Sequence, residues 1–314
     1  MVLAASGCAQ AQSQFVARKS PAADGLKPVT SLSRAPLATP ARYRLIFIPG
    51  SGCSGLAGVA DRMFRGLLHG QLLVLHKPAV QLDAGASPTV CPPTFVESDD
   101  LVGWLAHAKA AAVSQLQQWE GSEAAGRPLV LVGVSEGAEI LPFLATALPD
   151  VAALVMIGGS GLDPVEAGAL QAARLGESRE WAALAEAQAS NLPDDFIQDG
   201  RTLRYWRSLW SWRSAEALRA LPMPLLQVWG DADALLPAEA YERFAQRAKY
   251  RTGGYCRLRV AGADHGLQAE GVDGLRQVWA VIENWAREPK GDICNRVDET
   301  VGSRDSSASA AARQ

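Results

Sequence analysis

Six short apolar runs alternate with helical segments between residues 43 and 287, and this pattern constrains the fold more than any other feature. The runs are 43–48, 71–75, 128–134, 152–157, 224–229 and 257–260. The clearest helical segments that follow them are 56–68, 101–119, 138–148, 239–249 and 275–286. Continuous Val, Ile and Leu runs are typical of strands buried on both faces, and strand–helix alternation produces a parallel sheet. We therefore predict one α/β domain with a mostly parallel sheet of about six strands flanked by helices.

Three segments fall outside this alternation and define the predicted organisation of the chain. Residues 1–42 are rich in Ala, Ser and Pro without sustained periodicity, which indicates a leader and linker. Residues 162–222 are too many for an ordinary crossover, so we expect a helical cap inserted over the sheet. Residues 288–314 are polar and are interpreted as a tail, except where Cys294 could hold it against the core. The α/β core is then expected at residues 43–161 and 223–287.

The composition argues against two classes of function. The chain has 314 residues, with 30 Lys and Arg against 33 Asp and Glu, and 48% of its residues are hydrophobic. A nearly balanced charge without a basic cluster argues against nucleic acid as the main partner. No apolar run reaches the roughly 18 residues that span a bilayer, so we expect no transmembrane segment. A soluble enzyme or a binding domain remains.

The N-terminal sequence Ala5-Ser6-Gly7-Cys8 resembles the end of a bacterial lipoprotein signal, in which the cysteine is acylated after cleavage. Only four residues precede this sequence, whereas a signal needs a basic start and an apolar stretch. Two interpretations stay open. A start upstream would make the protein a periplasmic lipoprotein with a lipid anchor at Cys8, and a chance resemblance would leave it cytoplasmic.

The other four cysteines, Cys53, Cys91, Cys256 and Cys294, form an even set. None belongs to a CxxC pair and none has a histidine at metal-ligand spacing, so we expect no zinc site. In an oxidising compartment Cys53–Cys91 and Cys256–Cys294 would form disulfides. In the cytoplasm all four would be buried thiols.

The sequence Gly133-Val134-Ser135-Glu136-Gly137 is the one Gly-x-Ser-x-Gly motif in the chain. It directly follows a predicted strand and opens a predicted helix. A serine at such a turn is held in a strained backbone conformation with its hydroxyl exposed, which suits a nucleophile. The flanking glycines are needed because the strand and the helix approach closely there. The alternative is a glycine-rich turn with an incidental serine.

A serine hydroxyl needs a base to remove its proton before it can act as a nucleophile. Of the four histidines, His265 lies just past the last predicted strand, on a loop at the carboxyl edge of the sheet. His69 lies at the end of a predicted helix, and His107 lies inside another predicted helix, so structural roles account for both. His76 ends the second predicted strand and is a candidate substrate contact. We therefore identify His265 as the base.

The imidazole in turn needs a carboxylate, and Asp231 and Asp233 follow the fifth predicted strand. The order Ser135, Asp, His265 resembles the triad of α/β-hydrolase fold serine hydrolases, and the resemblance covers most of the chain. It implies a single α/β-hydrolase domain. In that family the acid typically lies three residues after the glycine and before a Leu-Pro pair, which favours Asp233 over Asp231. Asp163 occupies an occasional family position for the acid, but a helix-capping role accounts for it.

The resemblance also implies an oxyanion hole built from backbone N–H groups. One donor is the N–H of Glu136, at the start of the helix after the nucleophile. The second comes from the loop at residues 49–55, where family members usually carry His-Gly and this chain has Pro-Gly. Alignment on that glycine assigns the second donor to Ser51, with Gly52 as the alternative.

The cap segment contains several tryptophans, of which Trp206 and Trp210 are candidate substrate contacts. Together with Gly52 and His76 they complete the expected substrate-binding set. The alternative for the tryptophans is that they pack the cap against the core, as large aromatic residues usually do.

The resemblance implies a serine hydrolase that cleaves small-molecule carboxylic esters through an acyl-enzyme, with Ser135 as nucleophile and no metal or organic cofactor. An amidase or peptidase, a thioesterase and an acyltransferase share the same triad and stay open. A binding module that kept the fold without activity is a further alternative. The oligomeric state is left open.

Overall fold

The computed structural model describes residues 13–20, 28–289 and 291–297. Its strands are β1 (Val16–Lys19), β2 (Thr30–Arg34), β3 (Tyr43–Ile48), β4 (Gly70–Val74), β5 (Leu129–Val134), β6 (Val151–Ile157), β7 (Ile197–Gln198), β8 (Arg201–Thr202), β9 (Leu225–Gly230), β10 (Tyr255–Val260), β11 (Gln268–Ala269) and β12 (Val272–Asp273). Its helices are α1 (Ala60–Met63), α2 (Pro93–Ser98), α3 (Leu101–Trp119), α4 (Glu136–Ala147), α5 (Pro164–Leu175), α6 (Ser178–Ala189), α7 (Leu203–Ser211), α8 (Ser214–Ala220), α9 (Ala238–Ala248) and α10 (Gly274–Trp285), with a 3-10 helix at Ile293–Arg296.

An eight-stranded sheet with the order β1-β2-β4-β3-β5-β6-β9-β10 organises the molecule. The six strands from β4 to β10 in this order are parallel to one another. They are the six strands predicted from the apolar runs, so the α/β class is confirmed. Parallel strands place their carboxyl ends at one edge of the sheet, which is where loops build sites in this kind of fold.

The expectation of about six strands was two strands short, because β1 and β2 extend the sheet antiparallel to the rest. The interpretation of residues 1–42 as leader and linker is therefore wrong for these two segments. Both are short, and β2 interleaves Leu32 with Ser31 and Ser33, which are also buried. Its polar composition hides the apolar run that marks a central strand. The part of the predicted leader at residues 1–12, including Cys8, and residues 21–27 lie outside the described residues.

Helices cover both faces of the sheet and bury two apolar layers. On one face, Phe64 and the helix α10, through Trp279 and Trp285, pack against alternate side chains of the strands. On the other face, α3, α4 and α9 pack against the remaining alternate side chains, for example Ile46 and Ile48 of β3. This two-sided burial is why the central strands are apolar along their whole length.

Residues 162–222 form the predicted helical segment, which we call the insertion. It contains α5 to α8 and also the β7–β8 hairpin, which the sequence analysis missed. The hairpin turns at Asp199-Gly200, where both residues have positive φ, of 48° and 71°. An Asp-Gly pair favours this type of two-residue turn.

The predicted tail at residues 288–314 packs against the core over part of its length. Ile293 is fully buried in the apolar layer that contains α10, and Cys294 forms a disulfide with Cys256 of β10. Residues 291–297 are thus held against the core through Cys294, the exception expected for the tail, and residues 298–314 lie outside the described residues. Among the described residues, no helix combines the length and apolar character that crossing a membrane requires.

Candidate active site

Ser135 sits at the sharp turn between β5 and α4, as the motif predicts. Its backbone has φ 52° and ψ −120°, a conformation that a residue with a side chain adopts only under strain. The glycines on either side are required by contact: a Cβ at Gly133 would lie 2.6 Å from the carbonyl oxygen of Gly137, and one at Gly137 would lie 2.3 Å from that of Ile48. Close packing of β5, α4 and β3 therefore fixes where the serine side chain stands.

His265 pairs with Asp233, the acid that the resemblance favoured. The two are joined by a hydrogen bond of 2.8 Å between His265 Nδ1 and Asp233 Oδ2. Asp233 is itself held by the hydroxyl of Tyr241 at 2.9 Å on Oδ2 and by the N–H groups of Leu235 and Leu236 on Oδ1. Burial opposes ionisation of this carboxyl, but His265 and the two N–H groups outweigh it and lower the pKa of Asp233.

The two other candidate acids do different work. Asp231 accepts a hydrogen bond from the N–H of Gly262, which tightens the turn after β9. Asp163 precedes α5 but does not cap it. Its carboxylate accepts from the N–H of Ala215, at 3.0 Å, in the first turn of α8. The helix-capping role predicted for Asp163 is therefore wrong for α5, because its side chain serves the neighbouring helix.

The other ring nitrogen of His265, Nε2, is buried and has no hydrogen-bond partner among the residues that the structure describes. Its loop is shaped by Asp264, whose carboxylate accepts from the N–H groups of Gly266 and Gln268, both at 2.9 Å. The ring lies against Gly158, just after β6, where a Cβ would stand 3.1 Å from Cε1 of His265. The hydrogen bond at Nδ1 thus orients the imidazole, while Nε2 remains without a partner among the described residues.

The loop after β3 reaches Ser135. A Cβ on Gly50 would lie 3.1 Å from Cβ of Ser135, so a larger residue there would have to push the serine turn by a few tenths of an ångström. Gly52 has φ 86° and an open neighbourhood. The next residue, Cys53, forms the predicted disulfide with Cys91, which anchors the loop.

His76 supports this loop from behind. Its Nε2 accepts a hydrogen bond of 3.2 Å from the N–H of Leu56, and the side chain is buried. Burial lowers the pKa of His76 to about 4, which keeps the ring neutral. The imidazole lies outside the lining of the two cavities described next, so the structure gives the expected substrate contact at His76 no support.

Two cavities open on either side of Ser135, and both are also lined by Ser51 and His265. The smaller one, of about 250 Å³, lies between the loops after β3 and β4 and has a mainly apolar wall. Its lining includes Gly52, Phe47, Leu56, Met63, Val80 and Ala86. We call it the core-side cavity.

The second cavity, of about 330 Å³, lies between Ser135 and the insertion, and we call it the insertion-side cavity. Trp206, a candidate substrate contact, lines it, with its indole N–H donating to the carbonyl of Gln198 at 2.9 Å. Trp210 does not line it. Its ring stacks on Trp181 at a centroid distance of 4.7 Å, and Trp181 is the second tryptophan of the wall. Trp210 therefore packs within the insertion, which is neither of the two roles that the sequence analysis weighed for it.

Glu139 is one of the polar residues of this cavity that the sequence analysis did not single out. Glu139 lies one helical turn after Ser135, and its Oε2 accepts a hydrogen bond of 2.6 Å from the hydroxyl of Ser214 in the insertion. Burial raises the pKa of Glu139 to about 8, and the charges of Glu136 and Asp163 add to the shift. The available signal was its position in the first turn of the helix that the Gly-x-Ser-x-Gly motif opens.

Within the part of the chain that the structure describes, no group of three or more His, Cys, Asp or Glu side chains is arranged to hold a metal ion. The side chains around Ser135 instead offer a hydroxyl, an imidazole and a paired carboxylate. These are the groups used for acyl transfer to a serine.

The chain matches no protein-family model and no curated protein, but it is similar to many solved structures. Est1E from Butyrivibrio proteoclasticus is 17% identical with a TM-score of 0.59, over 87% of this chain and 98% of that one. The esterase domain of a Rhodothermus marinus protein is 16% identical with a TM-score of 0.56, over 88% and 98%.

Mouse alpha/beta hydrolase domain-containing protein 10 is 14% identical with a TM-score of 0.56, over 87% of this chain and 99% of that one. At such identities the likeness concerns the fold and not the substrate. Together with the strand order and the turn at Ser135, it shows that this chain has the α/β-hydrolase fold.

Proposed function

We propose that the protein is a serine hydrolase that cleaves carboxylic esters through an acyl-enzyme. The observation that carries the proposal is the convergence of a strained, accessible serine and a carboxylate-paired histidine on the same two cavities. A strained serine at a strand-to-helix turn, or a His–Asp pair, could each occur alone for structural reasons. Their meeting at the carboxyl edge of the sheet is best explained by nucleophilic catalysis.

In the proposed first step, Ser135 Oγ attacks the ester carbonyl while His265 Nε2 accepts the hydroxyl proton. The free Nε2 suits this task because Nδ1 keeps its proton in the hydrogen bond to Asp233. The negative charge on the carbonyl oxygen is held by the backbone N–H of Glu136 and a second N–H from Ser51, with Gly52 as the alternative donor. Collapse of the intermediate expels the alcohol, which takes the proton from His265.

In the second step, His265 removes a proton from water, and the resulting hydroxide attacks the acyl-enzyme. The carboxylic acid leaves as Ser135 regains its proton from the imidazolium. Asp233 stays ionised throughout and stabilises the charged ring, which agrees with the lowered pKa of its carboxyl. No metal is needed in either step.

The two cavities support an ester with one modest apolar group and one aromatic group. The core-side cavity accepts the former, and the insertion-side cavity, with Trp181 and Trp206 in its wall, suits the latter. The insertion thereby acts as the cap. Est1E, one of the similar structures, has been described with ferulic acid, an aromatic acid, bound.

The test is turnover of a panel of p-nitrophenyl and phenyl esters, a thioester and an anilide, with the Ser135→Ala variant as control. We expect a burst of p-nitrophenol with p-nitrophenyl acetate, and an acetylated protein in the mass spectrum when the reaction is quenched early. Faster turnover of the thioester or anilide than of every ester would contradict the proposed substrate class. Equal turnover by Ser135→Ala would contradict the nucleophile.

A further inference from the structure

A chain of buried charges begins at Glu136, the residue after Ser135. One carboxylate oxygen of Glu136 is bound by Nζ of Lys77, from the loop after β4. The other oxygen accepts a hydrogen bond of 3.1 Å from the hydroxyl of Tyr205, in helix α7 of the insertion. The side chain of Lys77 is 1% exposed and that of Glu136 is 8% exposed. Both oxygens of Glu136 are thus held, one by the core and one by the insertion.

The chain of charges continues from Lys77 back to the insertion. Nζ of Lys77 also donates to Asp99 at 2.8 Å, and the second oxygen of Asp99 is paired with Arg201 of β8. The guanidinium of Arg201 stacks over the ring of Tyr205 at 4.5 Å, and Tyr205 in turn donates to Glu136, so the contacts form a closed ring. Two cations and two anions are therefore balanced in one cluster that is buried except at Arg201, whose side chain is 20% exposed. We call it the Lys77 cluster (Lys77, Asp99, Glu136, Arg201, Tyr205).

Such a cluster is a costly way to hold a fold together. Taking charges out of water costs several kcal/mol for each ion, and a buried ion pair adds little net stability over apolar residues of similar size. Its strength is geometric, because each hydrogen bond fixes a direction as well as a distance. Burial and the nearby Glu136 raise the pKa of Tyr205 well above its usual value, so its hydroxyl remains a donor.

The position that this cluster fixes is the first residue of α4. Glu136 has no preceding helical turn to hold its backbone, since the chain enters from the strained Ser135. Its side chain can hold in place the peptide that carries the proposed oxyanion donor. Lys77 and Tyr205 each bind one carboxylate oxygen of that side chain.

We propose that Lys77 and Tyr205 are positioning residues that aim the backbone N–H of Glu136 at the oxyanion and couple its aim to the insertion. The proposal rests on the proposed function, since it needs an oxyanion to form at Ser135. Tyr205 and Arg201 also line the insertion-side cavity, so a substrate group that fills this cavity touches the same side chains. Substrate binding beside the insertion and stabilisation of the intermediate are then linked through one cluster.

The test compares Tyr205→Phe and Lys77→Met with the wild type and with Arg44→Met. Arg44 is the matched control. It is also a buried cation, 1% exposed and bonded to the carbonyl of Arg127 at 2.7 Å, but it lies at the start of β3, at the opposite edge of the sheet from Ser135. Four quantities are measured for each protein: kcat and KM for p-nitrophenyl acetate, the inhibition constant of a phenylboronic acid, and the melting temperature.

A boronic acid adds to the serine as a tetrahedral anion and so reports on the oxyanion hole, whereas KM for a small ester reports little on it. We expect Tyr205→Phe and Lys77→Met to lower kcat by about 10-fold to 100-fold with KM changed less than about twofold. This is part of the roughly 100-fold or greater loss that follows removal of a whole oxyanion donor. The boronic acid inhibition constant should rise by the same factor. Arg44→Met should keep kcat and boronate affinity even where its melting temperature falls.

Wild-type kcat and boronate affinity in both cluster variants, with only a lowered melting temperature, would overturn the proposal and leave the cluster a purely structural role. A raised KM at constant kcat would also overturn it, because the cluster would then serve substrate binding. If Lys77→Met does not fold, Tyr205→Phe still tests the proposal, because it removes a single hydroxyl group. A wild type inert toward both esters and boronic acid would instead refute the proposed function and this role with it.

Discussion

Replacing Asp233 with asparagine removes one oxygen acceptor while keeping the shape of the side chain. Oδ1 accepts from the N–H groups of Leu235 and Leu236, at 2.7 and 3.0 Å, and the asparagine carbonyl can keep both bonds. Oδ2 accepts from His265 at 2.8 Å and from Tyr241 at 2.9 Å, and it becomes an NH2 group that cannot accept. The change therefore falls on the imidazole and on the tyrosine.

The cost to folding is small because the Tyr241 hydroxyl can rotate to accept from the new amide. We expect a loss of about 1 kcal/mol in the free energy of unfolding. The cost to catalysis is large. His265 Nδ1 can only accept from the amide, so the ring proton moves to Nε2, which can no longer take the proton of Ser135. The wrong tautomer lowers kcat by on the order of 10⁴ in a triad of this design, or about 5 kcal/mol of barrier.

The assay is steady-state hydrolysis of p-nitrophenyl acetate, with unfolding in guanidinium chloride to confirm that the variant folds. Asp231→Asn is the matched control. Asp231 is two residues away. Among the described residues its carboxylate accepts from Gly262 alone, apart from a weak contact of 3.9 Å with Arg259. It should change kcat by no more than about twofold, as is usual for a surface substitution. A large loss in Asp231→Asn with near-normal activity in Asp233→Asn would refute the reasoning.

Three further predictions concern stability and the cavity. Replacing Cys256 and Cys294 together with serine should lower the free energy of unfolding by about 4 kcal/mol, because the bridge closes a loop with a sequence separation of 38; chemical denaturation with unchanged stability would contradict this. The pKa of Glu139 is raised from 4.5 to about 8 in the folded protein. Between these pH values the folded protein holds a proton on Glu139 that the unfolded chain has lost. The free energy of unfolding of the wild type should therefore fall as the pH rises through this range, by up to about 1.4 kcal/mol per pH unit. Denaturation series at several pH values should show a weaker fall in Glu139→Gln, and parallel curves would rule the account out. Trp206→Ala should raise KM for phenyl esters about tenfold, by about 1.4 kcal/mol of lost ring contact, whereas Trp210→Ala should change it less; the reverse order would show that the cavity wall is misassigned.

The strands and helices that the sequence predicts well are those whose burial pattern is complete along the chain. The segments 43–48 and 101–119 match β3 and α3 at both ends. The strand β2 was missed because its own composition is too polar to indicate a strand, and it is its pairing with β1 and β4 that places it in the sheet. The hairpin β7–β8 was missed although Asp199-Gly200 is a recognisable turn signal.

The serine turn and the histidine loop could be found because strand ends are readable in sequence. The partners of Glu136 could not, since Lys77 and Tyr205 are 59 and 69 residues away along the chain. A lysine in a sequence is expected at the surface, and only the fold reveals that this one is enclosed. Its place just past a strand, on the edge where Ser135 and His265 lie, was the one usable signal. The same limit explains Trp181, which replaces Trp210 in the cavity wall through a stacking contact that spacing alone does not reveal.

The central claim is that Ser135 is an activated nucleophile, and a fluorophosphonate tests it most directly. The probe reacts with serines that a neighbouring base activates, and intact mass spectrometry counts the adducts. We predict one adduct on the folded wild type and none on Ser135→Ala under the same conditions. An unlabelled, folded wild type, or equal labelling of the alanine variant, would contradict the account.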